Sequence, residues 1–266
     1  MHIPLFTRPT SRRSASWLLA ATLAAVLATP ARAEEGSGSM NWSWGSSQRV
    51  VGSGKLATET RKVEGFQAIA LRSQMNVVLR QGTREGLELR ADDNLLSLIE
   101  ARVVDRDGVP TLELGLKKGA NVSTRHELAA TIDLQTLRGV SIGGSGNVSG
   151  DSLKVEKLAL AVSGSGDIRL KQLNATEIST KVSGSGDVAL AGRSARLSIS
   201  IAGSGDVNTH ALEVDEVSVS IAGSGDANVN ARKTLNVTIA GSGDVKYSGE
   251  AAVKSSIAGS GRVTKQ

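Results

Sequence analysis

Leu158-Ala159-Leu160-Ala161-Val162-Ser163-Gly164-Ser165-Gly166-Asp167 is the stretch on which the fold turns, because the chain repeats its design. Gly-Ser-Gly units begin at Gly144, Gly164, Gly184, Gly203, Gly223, Gly241 and Gly259, at spacings of 18–20 residues. A fixed period near twenty is the signature of a solenoid or array. Before each unit the residues alternate strictly. Leu158-Leu160-Val162, Ile178-Thr180-Val182, Leu197-Ile199-Ile201, Val217-Val219-Ile221 and Leu235-Val237-Ile239 form one set. Their partners are small or polar, as in Ala159-Ala161, Ser198-Ser200, Ser218-Ser220 and Asn236-Thr238. Period two places the two sets on opposite faces of a strand.

One copy cannot bury its apolar row alone. Stacking copies about 4.8 Å apart buries the row continuously and pairs each backbone with the next. The sequence therefore predicts an all-β fold, a right-handed parallel β-solenoid of about seven coils of 18–20 residues. Each copy supplies one strand of about six residues, the glycine turn and a second short strand. An antiparallel meander would need an equally strong turn signal midway through each copy. The midpoints (Lys171-Gln172, Ala191-Gly192, Thr209-His210, Asn230-Ala231) vary too much to supply one. Glycine suits the corner through positive φ and through close approach of neighbouring coils.

Working outward, residues 59–140 are patterned but not repetitive. Phe66 to Leu71, Met75 to Leu79 and Leu87 to Arg90 read as short strands. Asp92-Asp93-Asn94 before Leu95-Leu96-Ser97-Leu98-Ile99-Glu100 predicts a capping helix of about two turns. Asp107-Gly108 is a tight-turn signal between Val103-Val104 and Leu112-Glu113-Leu114. Residues 59–266 thus form one solenoid domain, with 59–140 as its non-repetitive start and 141–266 as its repeats.

The extreme N-terminus reads differently. Arg8, Arg12 and Arg13 precede an apolar run from Trp17 to Ala28, then Ala31-Arg32-Ala33. This is the pattern of a signal peptide over residues 1–33. General export fits better than the twin-arginine route, because Ser14-Ala15-Ser16 follows the arginine pair. Residues 34–58, rich in Gly, Ser and Asn, read as a flexible linker. Trp42 and Trp44 within it are rings that either dock on the domain or meet a surface.

The precursor has 31 Lys+Arg against 26 Asp+Glu, but four of the arginines lie in the leader. The mature chain is nearly neutral, which gives nucleic acid no basic stripe to bind. There is no cysteine, hence no disulfide and no thiol for lipid attachment. After Glu34 only Trp42, Trp44, Phe66 and Tyr247 are aromatic. That suits narrow aliphatic layers and leaves no aromatic platform for sugar stacking.

Two stretches together resemble a known bacterial family. One runs from Gly65-Phe66-Gln67-Ala68-Ile69 through Val77 to Gly82 and Ala91 to Leu96. The other is the recurrent Ser-Gly-Ser-Gly-Asp, as at Ser163 to Asp167 and Ser183 to Asp187. They are similar to the auto-transporter adhesin family with a head GIN domain. The resemblance implies a β-solenoid-like domain of the bacterial envelope and carries over no catalytic residue. Nothing up to Gln266 is long enough for a membrane β-barrel translocator, so the sequence as given is not expected to be a complete auto-transporter.

Asp167, Asp187, Asp206, Asp226 and Asp244 occupy equivalent positions and are the candidate site. In register they would lie about 5 Å apart and repel by about 1 kcal/mol per pair in water. Either each carboxylate accepts backbone N–H groups within its own turn, or the column shares cations. Calcium, an oxygen-seeking ion, would be the metal. No other cofactor is expected. The Gly-Ser-Gly turn precedes a strand and an Asp, not a helix and a Lys, which excludes a phosphate loop. His126 and His210 sit in no hydrolase motif.

The expected function is therefore non-catalytic. An exported protein of the periplasm or cell surface would bind a protein or an envelope polymer through its flat outward row of Ala, Ser, Thr and Asn. Self-association into a homo-oligomer is also open, and no integral membrane segment remains after cleavage. The alternative is a hydrolase or lyase acting on polysaccharide with paired carboxylates, as some β-helix enzymes do.

Overall fold

In the computed structural model, residues 49–266 are described. The leader and most of the linker, with Trp42 and Trp44, lie outside them. The first strands are β1 (Arg49–Val51), β2 (Leu56–Arg61), β3 (Ala68–Leu71), β4 (Asn76–Gln81) and β5 (Gly86–Asp92). A single helical turn, α1 (Asp93–Leu96), leads to β6 (Ile99–Arg106), β7 (Val109–Leu116), β8 (Asn121–Ser123) and β9 (Ala129–Leu134). Then come β10 (Gly139–Ile142), β11 (Asn147–Gly150), β12 (Leu153–Val162), β13 (Ile168–Val182) and β14 (Val188–Ile201). The chain closes with β15 (Val207–Gly223), β16 (Ala227–Gly241), β17 (Val245–Ser248), β18 (Ala252–Gly259) and β19 (Val263–Lys265).

From β10 onward every pairing is parallel and couples equivalent positions of successive repeats. Leu160 pairs with Thr180, Thr180 with Ile199, Ile199 with Val219, and Val219 with Val237. This is the parallel β-solenoid, in about six turns rather than seven. Seven glycine corners delimit only six intervening turns. The inward residues form one continuous core from Val63 to Val245. Burying each aliphatic side chain contributes about 1.5–3 kcal/mol, so stability accumulates coil by coil.

Three expectations need correction. The separate short strands are fused, and β13 runs 15 residues without a break. The midpoint corner is a kink within a strand. It is made by one unusual dihedral in two coils, at Gln172 (φ 46°) and Gly192 (φ 132°), and by a local shift of register without one in β15. That is why no fixed turn sequence marks it. The helix has one turn, because Ile99 pairs with Leu116 in the β6–β7 hairpin and pulls the chain into a strand. The hairpin turn at Asp107-Gly108 has both residues at positive φ, as a type I′ turn requires. Finally, residues 49–51 and 56–58 belong to β1 and β2, not to a linker. β1 lies parallel to β8, and β2 pairs antiparallel with β5.

The N-terminal part continues the stack. β3 and β4 lie parallel beside β10 and β11, and beyond them β7 and β9 add another rung. There the pattern reverses, since β6 and β5 pair antiparallel with β7 and β9. The antiparallel turn-back, with Phe66 and Leu95 fully buried, seals this end of the core.

Candidate functional site

The repeated corner comes first. In each unit both glycines pack against the corner of the preceding coil. A Cβ placed on Gly186 would overlap the Gly166 carbonyl oxygen and lie 2.9 Å from Val162 Cγ1. The same collision recurs at Gly166, Gly205, Gly225, Gly243 and Gly261. Close approach is therefore what the corner demands. Positive φ enters only at the first glycine of the last units, as at Gly259 (139°).

That proximity sets the aspartate geometry. The carboxylates do not bond within their own turns. Each accepts the backbone N–H of the equivalent residue one coil further on. Asp187 N–H donates to Asp167 Oδ1 at 3.0 Å, Asp206 to Asp187 at 2.9 Å, Asp226 to Asp206 at 2.8 Å and Asp244 to Asp226 at 2.7 Å. Asn147 starts the ladder by accepting from Asp167 N–H at 3.1 Å. Arg262 ends it, donating its backbone N–H to Asp244 Oδ1 at 2.9 Å and its guanidinium to Oδ2 at 3.1 Å. The guanidinium hydrogen bond, then the Arg262 backbone N–H and the Arg262 charge, hold the Asp244 carboxyl below its usual range. The Asn and Arg at the two ends are thus ladder terminators. Among the described residues, no group of three or more His, Cys, Asp or Glu is placed to hold a metal ion.

The outward face is not flat. A groove made of two concavities runs along successive coils. Its head, of about 600 Å³, is lined by Gln81, Gln135, Arg138, Lys154, Lys157 and Glu177 among others. A continuation of about 210 Å³ reaches Arg196, Ser198, Glu216, Ser218 and Asn236. Glu177 lines both. Two rows in exact repeat register run along it. One is Ala159, Ser179, Ser198, Ser218 and Asn236. The other alternates in charge, as Lys157, Glu177, Arg196, Glu216 and then Thr234. Glu177 lies 3.5 Å from Lys157 Nζ and 3.6 Å from an Arg196 nitrogen. Such exposed pairs contribute little to stability, about 0–1 kcal/mol each. They leave an ordered array of donors and acceptors with a period of one coil. Gln81 anchors the head, donating to the Gln135 and Lys154 carbonyls at 3.0 Å each.

His126, in the loop between β8 and β9, lies against a buried carboxylate. Its Nδ1 is 2.7 Å from Asp92 Oδ1, and Thr124 donates to Asp92 Oδ2 at 2.7 Å. Asp92 is 1% exposed. The Thr124 hydrogen bond, then that of His126, holds its carboxyl below the usual range. Gly52 crosses directly over it, and a Cβ there would strike the carboxylate. The cluster therefore ties the β1–β8 pair to the end of β5. A carboxylate with a lowered folded pKa stabilises the fold above its unfolded value, and that stability is lost as pH falls through the folded one. Asp92→Asn is expected to melt a few degrees below the parent at neutral pH, the gap closing below about pH 4. Thermal melts of the pair from pH 7 to 3 check this; a gap independent of pH would contradict it.

His210 Nδ1 lies 3.4 Å from the Ser248 hydroxyl, exposed and outside the groove. The Thr124 hydroxyl donates to Asp92 and accepts the His126 N–H of its own loop. Neither arrangement presents a hydroxyl and an imidazole to a concavity.

Sequence reading missed a fourth arrangement. Glu113 is 6% exposed and takes hydrogen bonds from Arg72, Arg102 and Arg106. Burial pushes its pKa up, but the bonds of Arg106 and Arg102 and the charge of Arg72 outweigh that and hold it below the usual range. The charged residue between Leu112 and Leu114 was the available signal. Alternation reads it as solvent-facing, whereas the three arginines cover it.

The family described as "Putative auto-transporter adhesin, head GIN domain" matches residues 65–251, most of the repeats and of the N-terminal part. The chain belongs to this family. Among solved structures, the head GIN domain here is similar to a "putative adhesin" from Bacteroides fragilis NCTC 9343. The TM-score is 0.76 and the identity 27%, covering 82% of this chain and 100% of that one. A "putative adhesin" from Parabacteroides merdae ATCC 43184 matches at TM-score 0.64 and 26% identity, over 82% and 99% of the two chains. A "putative lipid binding protein" from Parabacteroides distasonis ATCC 8503, 23% identical with TM-score 0.66 over 82% and 100%, shares the fold. No curated protein matches the chain. Among the described residues no helix is long and apolar enough to cross a membrane.

Proposed function

We propose that this head GIN domain is an exported, non-catalytic adhesin-like module that binds an extended envelope protein or polymer lengthwise in its axial groove. The observation that carries this reading is the register of the groove. Ala159, Ser179, Ser198, Ser218 and Asn236 repeat at one coil spacing beside the alternating charges of Lys157, Glu177, Arg196 and Glu216. A periodic surface recognises a periodic or extended ligand, because each coil offers the same contacts again. The adhesin names of the family and of its structural relatives support the binding role and an exported or surface location.

The test is direct. Ser198 and Ser218 are exposed, so Ser198→Arg with Ser218→Arg fills the groove without touching the core. Binding of the chain to an isolated bacterial envelope fraction is expected to fall about tenfold in the double variant, with its circular dichroism spectrum and melting temperature unchanged. Equal binding by parent and variant would remove the groove from consideration. Release of reducing or unsaturated sugar ends from the same fraction would turn the reading toward the polysaccharide enzyme.

A further inference from the structure

A second concavity lies at the opposite kind of surface, on the N-terminal turn-back beside Glu113. It has two adjoining parts of about 350 Å³ and 430 Å³, both lined by Arg72, Leu116, Lys117 and Lys118. Around Glu113 the cations are Arg72, Arg102, Arg106, Lys117 and Lys118, and the anions are Glu113 and Glu100. Positive charge is in excess by three. Glu113 fixes the arginines without neutralising them, and Arg72 gives it only one of five N–H donors. Lys117 and Lys118 are exposed and form no ion pair among the described residues.

The backbone that carries the lysines is held in place. Lys117 N–H donates to the Leu98 carbonyl at 2.9 Å, and Ala120 N–H closes a tight turn onto the Lys117 carbonyl at 2.9 Å. Gly119, at φ 80°, supplies the dihedral this turn needs. A second, independent feature points to a ligand. Ser73 lines the same concavity, is 8% exposed, and its hydroxyl is buried with no hydrogen-bond partner. A buried hydroxyl left unpaired costs about 1–3 kcal/mol, so such groups are normally satisfied. Serine here is also not demanded by the corner. In register with this turn the next coil carries Gly143 to Gly146, and Ser73 stands where that coil has Gly144.

We propose that this concavity binds a phosphate- or sulfate-bearing group, held by Arg72, Lys117, Lys118 and the Ser73 hydroxyl, which turns outward from its buried position to reach it. Two ammonium groups, a guanidinium and a hydroxyl suit a tetrahedral oxyanion, which accepts hydrogen bonds from several directions. A planar carboxylate is already engaged by the arginines, in Glu113. The oxyanion can belong to a soluble or polymeric ester or to a lipid headgroup.

Inorganic phosphate is the first probe, titrated into the chain at about 0.15 M salt so that diffuse attraction is screened. Saturable binding is expected. Lys117→Ala with Lys118→Ala should weaken it about tenfold, and Ser73→Ala about threefold. Ser73→Ala removes a hydroxyl with no partner, so its melting temperature without phosphate should not fall. Lys254→Ala with Lys265→Ala, in the final coil, should bind as the parent does. Vesicles of phosphatidylglycerol in phosphatidylcholine give the second arm. Capture that depends on Lys117 and Lys118 assigns the oxyanion to a headgroup, and phosphate binding without capture assigns it to a non-lipid ester. Phosphate that fails to saturate, or equal weakening by the two lysine pairs, would show only diffuse charge and overturn the site. None of these readouts involves the groove, so this result stands or falls apart from the proposed function.

Discussion

Gly186→Ala is expected to lower stability by about 3 kcal/mol or more, roughly 10 °C in melting temperature for a chain of this size. The added methyl has nowhere to go. It would overlap the Gly166 carbonyl oxygen and press on Val162 Cγ1 at 2.9 Å. Neither neighbour can yield cheaply. The Gly166 carbonyl is part of the adjoining corner, itself packed on Gly146, and Val162 is a fully buried wall of the core. Relief therefore requires the two coils to separate, which stretches the parallel pairing on both sides of the corner. Gly82→Ala is the control. No atom lies within 4 Å of its Cβ position and its φ is not positive, so alanine there should change little. Thermal melts of the two variants decide the matter. A Gly186→Ala protein as stable as Gly82→Ala would mean that the corner is more deformable than its packing indicates. Valine at Gly186 should abolish folding altogether, since its two γ carbons add to the same overlap.

The corner also shows what a sequence can and cannot reveal here. The seven glycine units, the inward rows and the Asp107-Gly108 hairpin are local, periodic signals, and they transfer directly to the coils, the core and the turn. The second corner of each coil is silent because a kink at Gln172, one at Gly192 or a register shift alone makes it, and no fixed residue is needed. The one-turn helix is misread for a different reason. Caps and apolar spacing around Asp92 to Glu100 are helical, but Ile99 has a partner in Leu116 that no local pattern contains. At the binding surfaces the outward residues were legible and their shape was not. Lys157, Glu177, Arg196, Glu216 and Thr234 all stand seven residues before a Gly-Ser-Gly unit, so their alternation was readable. That they line a groove along successive coils was not. Glu113, Arg72, Arg102 and Arg106 come from two strands and a turn, and the antiparallel β6–β7 and parallel β3–β7 pairings bring them together.

The aspartate column gives the second large effect, and it separates two roles of a carboxylate. Asp187, Asp206 and Asp226 each use Oδ1 to accept the next coil's N–H. An asparagine keeps that acceptor and removes the charge, as Asn147 already does for Asp167. Alanine removes both. The triple change to Ala is expected to cost about 3 kcal/mol, near 1 kcal/mol for each lost hydrogen bond. The triple change to Asn should be neutral or stabilising, because like charges at about one coil spacing repel by about 1 kcal/mol per pair in water. Melting temperatures in chelator therefore rank Asn at or above the parent and Ala lowest. A cation-sharing column predicts the reverse for Asn once calcium is present. In calcium the parent would gain stability that the triple Asn protein could not, since a neutral amide is a weaker ligand than a carboxylate. Equal calcium response of parent and Asn variant is the result expected from a ladder in which each charge faces a backbone N–H. Arg262 supports that reading from the far end. Where the ladder runs out of aspartates, the last carboxylate meets a guanidinium of its own chain.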